Sequence, residues 1–131
     1  MIGKRGSFQI ELSGTKYQLS PTFEALELYE EKTGKSIFKS LLELRDGDMR
    51  ISCAVSAIWS GIMGYYISKG TEEKAPQYSE VGKMVVSHGV GYLQKEIYSY
   101  FTQCLASDSD IAELDKLSDT DKKKVSKRAK P

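Results

Sequence analysis

The clearest helix signals in the chain lie in residues 20–36, which read Ser-Pro-Thr-Phe-Glu-Ala-Leu-Glu-Leu-Tyr-Glu-Glu-Lys-Thr-Gly-Lys-Ser. Ser20 followed by Pro21 is typical of a helix start, because the serine hydroxyl accepts from an unpaired backbone N–H and proline is pre-set for the first helical position. Gly34 is typical of a helix end, since glycine adopts the left-handed conformation without strain. The stretch therefore predicts one complete helix, with Ser36 as the cap of the next.

The side chains of this first helix divide into an apolar face and an acidic face. Phe23, Leu26 and Tyr29 recur at helical spacing and predict the buried face. The glutamates lie largely on other faces, in water; they are Glu24, Glu27, Glu30 and Glu31.

The residues before this helix, Gly6 to Leu19, predict a β-hairpin. Apolar side chains at Phe8, Ile10 and Leu12 alternate with polar ones, and Ser13-Gly14 supplies a two-residue turn. A lone hairpin is marginal in water, so its apolar face needs a cover. We expect the first helix, which follows at once, to be that cover.

Four more helices are predicted after the first. They cover residues 36–44, 49–69, 79–88 and 90–105. On the fourth helix, which Ser79 can cap, the buried face is predicted at Val81, Met84, Val85 and His88. On the fifth helix it is predicted at Leu93, Ile97, Tyr100, Phe101 and Cys104. The fold class is therefore α+β, with an N-terminal β-hairpin packed on a bundle of about five α-helices.

The third and longest helix carries no charged residue between Ile51 and Ser68. Small side chains recur at every fourth position along it: Ser52, Ser56, Ser60, Gly64 and Ser68. Such a stripe lets another backbone approach closely. An uncharged run of this length also fits a membrane span, but small polar residues and glycine dilute its apolar content. We therefore interpret it as the central helix of a soluble core, and its start is predicted to be capped by Asp48.

Length and composition indicate an ordinary globular domain followed by a charged tail. The 131 residues are 40% hydrophobic and 28% charged with a net charge of +1, which gives no overall attraction to nucleic acid or membranes. From Ser107 the chain becomes acidic and then basic. We predict one domain over residues 5–106 and a flexible, solvated tail over residues 107–131.

Cysteine usage and the N-terminus indicate a cytoplasmic protein. Cys53 and Cys104 both lie among apolar residues, which favours buried thiols in a reducing compartment over a disulfide. No apolar run follows the charges of the first five residues, so no signal peptide is predicted.

No motif in the chain predicts catalysis. The single histidine, His88, lies on an apolar helix face and is expected to be packed rather than to bind a metal. Gly89-Val90-Gly91 follows a helix rather than a strand, unlike a phosphate loop. Asp46-Gly47-Asp48 lacks the later ligands of a calcium loop and is interpreted as a polar turn. We predict a protein that is not an enzyme and has no catalytic residue, cofactor or metal.

Aromatic side chains are concentrated on the third and fifth helices, on more than one face of each. Most must belong to the core, but a domain of this size cannot bury every face. An exposed aromatic surface would bind a partner protein. The predicted partner-binding residues are Trp59, Tyr65, Tyr66, Tyr98 and Phe101.

The order of these features resembles a family of small tail proteins of phages, prophages and gene transfer agents. The residues that carry the resemblance in the first half are Gly6, Leu12, Gly14, Tyr17, Leu19, Pro21, Thr22, Phe23, Leu26, Glu30, Thr33, Gly34, Lys35 and Ser36. In the second half they are Ile58-Trp59-Ser60-Gly61-Ile62 and Ser79-Glu80-Val81-Gly82-Lys83-Met84-Val85. The resemblance covers about residues 5–105.

The resemblance implies a tail assembly chaperone in the cytoplasm of a bacterial host cell. Such proteins coat the long, aggregation-prone tape measure protein while the tail tube polymerises. The expected partners are the tape measure protein and other tail proteins, with homo-oligomers as an option and no membrane. No family active site is implied.

Two alternatives stay open. The family is also labelled a tail tube component, so the chain can be a structural subunit whose hairpin edge joins a neighbour's sheet. It can also be a small nucleic-acid-binding regulator that uses the helices after Ser79 and the basic residues from Lys122 onwards.

Overall fold

The structure, a computed structural model, describes residues 8–105. The strands are β1 (Phe8–Leu12) and β2 (Thr15–Leu19), and the helices are α1 (Phe23–Thr33), α2 (Ile37–Arg45), α3 (Ile51–Ser68), α4 (Tyr78–His88) and α5 (Gln94–Leu105). Short 3₁₀ segments at Glu72–Lys74 and Val90–Leu93 precede α4 and α5. The predicted α+β arrangement of one hairpin and five helices is confirmed. The predicted boundaries at residues 5 and 106 and the tail at residues 107–131 lie outside the described residues.

The hairpin turns through Ser13 and Gly14, both of which have positive φ angles, 52° and 78°. This turn matches the twist of the strands and places Leu12 opposite Thr15 and Ile10 opposite Tyr17. Ile10 and Leu12 are buried, as the alternation predicts. The cover is different from the one predicted, because β2 packs mainly on α3 and β1 on α4 rather than on α1.

The first helix starts at Phe23 and is capped by Thr22, whose hydroxyl accepts from the Ala25 N–H at 3.2 Å. The predicted cap, Ser20, is wrong. Its backbone N–H instead donates to the carbonyl oxygen of Gly61 on α3 at 3.0 Å. A tertiary contact therefore holds the chain extended through Ser20 and delays the start of the helix.

Replacing Thr22 with alanine is expected to lower the free energy of unfolding by about 1 kcal/mol, because the Ala25 N–H at the start of α1 then loses its side-chain acceptor. Ser20→Ala is the matched control, since alanine keeps the backbone N–H that binds Gly61. Urea unfolding of both variants measures the difference. A larger loss in Ser20→Ala than in Thr22→Ala would contradict the assigned cap.

The end of α1 and the start of α2 follow the sequence signals. Gly34 has a φ of 71° and its N–H donates to the Glu30 carbonyl oxygen at 2.8 Å. The hydroxyl of Ser36 accepts from the Lys39 N–H at 3.0 Å. Both predicted caps are confirmed.

Helix α1 buries only part of the predicted face. Phe23 is 68% exposed, whereas Ala25 and Tyr29 are fully buried and Leu26 is half-buried. The small side chain of Ala25 faces Gly64 of α3, so the close contact between the two helices decides which side of α1 turns inward.

Helix α3 is the centre of the fold and packs against β2, α1, α4 and α5. A Cβ atom added at Gly64 would lie 2.6 Å from the Ser20 carbonyl oxygen, and one added at Gly61 would lie 2.9 Å from the Leu19 Cβ. Both distances are too short for real atoms, so these glycines are needed for the end of β2 and the start of α1 to lie directly on α3. The close approach predicted along the stripe of small residues is confirmed at Gly64. Ser56 and Ser60 of the stripe are buried, whereas Ser52 and Ser68 are exposed.

Helix α3 is also, among residues 8–105, the one helix long and apolar enough to cross a membrane. In this fold 56% of that segment is buried against other elements. Core helices of soluble proteins meet the same criteria of length and composition.

Helices α3 and α4 do not begin at the caps predicted for them. Helix α3 begins after Arg50, with no side-chain cap, and Asp48 lies outside it. Helix α4 begins at Tyr78, one residue before the predicted cap Ser79, and the Glu80 carboxylate accepts from the Gln77 N–H at 2.9 Å.

The buried face of the fifth helix was predicted correctly, and that of the fourth helix only in part. All five residues predicted for the fifth helix are buried; they are Leu93, Ile97, Tyr100, Phe101 and Cys104. On α4, Val81 and Val85 are buried, but His88 is exposed at the helix end, so its predicted packing is wrong. Gly89, with a φ of 101°, ends the helix there.

Candidate partner-binding surface

The five aromatic residues predicted to bind a partner do not form one surface. Phe101 is fully buried, with its ring 5.3 Å from that of Tyr29 and 6.0 Å from that of Tyr100. Its assignment as a contact residue is therefore wrong, because the inner side of α5 faces the core. Tyr98, on the same helix, is 49% exposed.

Trp59 belongs to a cluster that joins three helices. Its ring lies edge-on to Tyr78 of α4 at 5.5 Å. The ammonium of Lys32, at the end of α1, lies 4.1 Å from the centre of the Tyr78 ring and 5.4 Å from that of Trp59. Cation–π contacts of this kind stabilise the junction of the helices. Trp59 is half-buried, and a partner reaching its face would compete with Lys32.

Tyr65 and Tyr66 lie at the end of α3, half-buried, with their rings edge-to-face at 5.7 Å. The Tyr66 carbonyl oxygen accepts from the Thr71 N–H at 2.9 Å, which ties the following loop to the helix. Within residues 8–105, no ring contact joins Tyr98 to either tyrosine or to Trp59. The structure thus pairs Tyr65 with Tyr66 and leaves Tyr98 on another helix.

An apolar groove between α3 and α4 was missed by the sequence reasoning. The groove has a volume of about 550 Å³ and is lined by Val55, Tyr78, Ser79, Gly82, Lys83, Val86 and Ser87. Val86 is 61% exposed. Ile51, one helical turn before Val55 on α3, is 58% exposed. We refer to these seven residues together with Ile51 as the α3/α4 groove.

A sequence signal for this groove existed. Val86 lies directly after Val85, which the helical spacing places in the core, so its side chain had to leave the buried face. Gly82 and Ser79 lie on the same side of α4 as Val86, at spacings of four and seven residues. Small residues beside an unburied valine indicate a face that accepts another element.

A second groove lies beside α1 and is acidic. Glu24, Glu27, Glu30 and Glu31 surround the apolar side chains of Leu28 and Ile67. One of these carboxylates has a structural role: Glu30 accepts a hydrogen bond from the Ile37 N–H at 3.2 Å and thereby links α1 to α2.

Two buried tyrosines bond to serines inside the core. The Tyr29 hydroxyl donates to the Ser40 Oγ at 2.6 Å, and the Tyr100 hydroxyl lies 2.9 Å from the Ser60 Oγ. Burial raises the pKa of Tyr29 and of Tyr100 well above the ordinary value for tyrosine. These bonds join α1 to α2 and α3 to α5, and neither residue lines a groove described above.

Stability is expected to fall at high pH because of these two tyrosines. Their pKa values are raised in the folded state, so their contribution is fully present below the unfolded value of about 10 and is lost as pH rises above it. Each tyrosine contributes a slope of at most about 1.4 kcal/mol per pH unit. Urea unfolding between pH 9 and pH 11 measures this slope. Tyr100→Phe should reduce it by up to half, and an unchanged slope would contradict the assignment.

Cys53 and Cys104 are both buried, which confirms the predicted burial. The reducing compartment stays a prediction. Within residues 8–105, no group of three or more histidine, cysteine, aspartate or glutamate side chains is arranged to hold a metal ion. The basic cluster from Lys122 onwards lies outside the described residues.

Comparison of the chain with known protein families, with curated proteins and with solved structures finds no match in any of the three. The α3/α4 groove is the strongest candidate, because two of its apolar side chains are more than half exposed next to a volume that can hold several side chains.

Proposed function

We propose that this protein is a non-enzymatic tail assembly protein of a phage or gene transfer agent, a chaperone that binds the tape measure protein during tail morphogenesis. The observation that carries the proposal is the exposed apolar side chains of Ile51 and Val86 at the α3/α4 groove. A helical domain with such a groove is suited to hold the apolar face of a helix. The identity of the client comes from the resemblance over about residues 5–105.

Several of the residues that carry the resemblance form joints of this fold. Thr22 and Ser36 cap α1 and α2, and Gly34 ends α1 in the left-handed conformation. Gly61 lies where the side chain of Leu19 meets α3. A resemblance concentrated at caps and close contacts is typical of residues that specify architecture rather than catalysis.

The proposal is tested by co-expression of the full chain with the tape measure protein from the same gene cluster. We expect the tape measure protein to stay soluble and to co-purify with this chain, because its apolar helix faces are then covered. Expression of the tape measure protein alone is the control. An insoluble tape measure protein that does not co-purify would overturn the chaperone proposal.

The aromatic residues that remain accessible are proposed as separate, additional contacts for the client. Trp59, Tyr65 and Tyr66 are half-buried and Tyr98 is exposed. The double variant Tyr66→Ala with Tyr98→Ala should weaken client binding while circular dichroism shows an unchanged helix content. Undiminished co-purification would remove this surface from the proposal.

A second function, a structural subunit of the tail, is favoured by the hairpin. The sheet in residues 8–105 has two strands, so β1 and β2 each have one edge without a strand partner. Unpaired edges can add to a neighbour's sheet. This function predicts rings or tubes that form with rising protein concentration and without a client, which size-exclusion chromatography with light scattering would detect.

A further inference from the structure

We infer that the α3/α4 groove binds an acidic amphipathic α-helix of the client, an inference that rests on the proposed function and specifies which kind of client segment is bound. Three features support it: a glycine that the fold does not need, an exposed apolar rim, and the charge of the groove.

Gly82 lies within α4, where glycine costs about 1 kcal/mol relative to alanine. The fold explains Gly61 and Gly64, at which an added Cβ atom would collide with Leu19 or with the Ser20 carbonyl oxygen. At Gly82 an added Cβ atom would lie 3.6 Å from the Val55 Cγ1, which is an ordinary contact. Packing within residues 8–105 therefore does not require this glycine. Its lack of a side chain would instead allow a helix of the client to approach α4 closely.

The rim of the groove supplies the apolar contact for such a helix. Val86 follows Gly82 by one turn on α4, and Ile51 precedes Val55 by one turn on α3. Val86 lines the groove together with Gly82 and Val55, which form its floor, and the exposed Ile51 extends the apolar surface along α3. A helix with apolar side chains at spacings of three and four residues fits such a surface.

The charge of the groove selects an acidic helix. Lys83 is the charged side chain among the described lining residues. Helix α3 begins next to Ile51 without a side-chain cap and without an acidic residue in its first turn, so the positive end of its dipole is not compensated there. A glutamate or aspartate beside the apolar stripe of the client complements both groups.

The same charge disfavours a second copy of this chain as the occupant. In a two-fold symmetric contact each residue of the patch meets the same patch on the other subunit. Two copies joined through this groove would bury both Lys83 side chains in one interface, where the described lining residues include no acidic partner for them, and like charges at an interface are unfavourable. A partner of opposite charge is therefore the better occupant.

Photo-crosslinking in the co-expressed complex tests the inference. The photoreactive residue p-benzoylphenylalanine is placed at Val86 or, as a matched control, at Phe38 on α2, both of which are 61% exposed. We expect position 86 to crosslink the tape measure protein at least about fivefold more than position 38, since a specific docking site places the client at one of the two positions only. Mass spectrometry of the crosslinked peptide should identify a segment with an apolar helical stripe next to acidic residues.

Two substitutions test the groove by affinity. Gly82→Leu fills the floor, and Lys83→Glu reverses the charge. Each should reduce the affinity for the tape measure protein by about tenfold, which corresponds to the loss of a contact of about 1.4 kcal/mol. Lys39→Glu is the control for the charge reversal, because Lys39 is an exposed lysine on α2. Gly82→Ala should reduce the affinity less than Gly82→Leu, because the added side chain is smaller. Circular dichroism confirms that each variant is folded.

The outcomes separate this inference from the proposed function. A tape measure protein that does not co-purify with the wild-type chain overturns both. Co-purification with equal crosslinking at positions 86 and 38, or with both groove variants binding like the wild type, overturns the groove inference and leaves the proposed function standing. Crosslinking of position 86 to a second copy of this chain, or to a basic segment of the client, also overturns the inference.

Discussion

Replacing Phe101 with alanine is expected to lower the free energy of unfolding by about 3–5 kcal/mol. The side chain is fully buried in α5 and packs edge-on against Tyr29 of α1. Alanine would leave a cavity between the two helices that the surrounding rings cannot fill without leaving their own contacts. Because a domain of this size has a total stability of about 5–15 kcal/mol, this one change can unfold much of the population.

Tyr98→Ala is the matched control for this prediction. Tyr98 lies on the same helix but is exposed, so its removal should change the free energy of unfolding by less than about 0.5 kcal/mol. Guanidinium unfolding followed by circular dichroism measures both variants. If Phe101→Ala were as stable as Tyr98→Ala, the placement of Phe101 in the core would be wrong.

Replacing Gly64 with alanine is expected to lower the free energy of unfolding by about 2–3 kcal/mol, at the upper end of the cost of overpacking. The added Cβ atom would lie 2.6 Å from the Ser20 carbonyl oxygen and 2.8 Å from the Ala25 Cβ. The Ser20 carbonyl group cannot move away easily, because the Ser20 N–H is bonded to the Gly61 carbonyl oxygen on the same helix α3.

Gly82→Ala is the control with the opposite sign. It also places alanine inside a helix, but its Cβ atom has room, so the gain in helix propensity should raise stability by up to about 1 kcal/mol. Urea unfolding of the two variants side by side gives the comparison. Two changes of the same sign would show that the close approach at Gly64 is absent or that Gly82 is needed by the fold.

The sequence alone predicted the number and order of the elements. The hairpin followed from strict alternation around Ser13-Gly14, and the end of α1 followed from Gly34. Every residue predicted for the buried face of the fifth helix is buried, since the apolar residues there recur at regular helical spacing. These features depend on local backbone preferences and on short-range periodicity, which can be read from the chain directly.

The candidate site was predicted poorly for a physical reason. Helical spacing placed Phe101 on the buried face of the fifth helix, but the excess of aromatic residues also placed it with Tyr98 on the partner-binding surface, and only the packed structure separates the two. The α3/α4 groove exists because no other described element packs over Val86 and Gly82. Whether such an element can do so depends on where α4 lies relative to α3. An uncovered surface is a property of the packed helices rather than of any segment.

By itself, the sequence determined where the chain turns, which segments become helices and which stripe of α3 is small enough for close contact. Local sterics and hydrogen bonding dictate these features, and they act over a few residues. Only the tertiary structure decided that Ser20 binds α3 instead of capping α1, that α3 and α4 cover the hairpin, and that Phe23 faces solvent. Those outcomes result from competition between distant groups for the same space, as at Gly64, and such competition is settled only when the elements pack together.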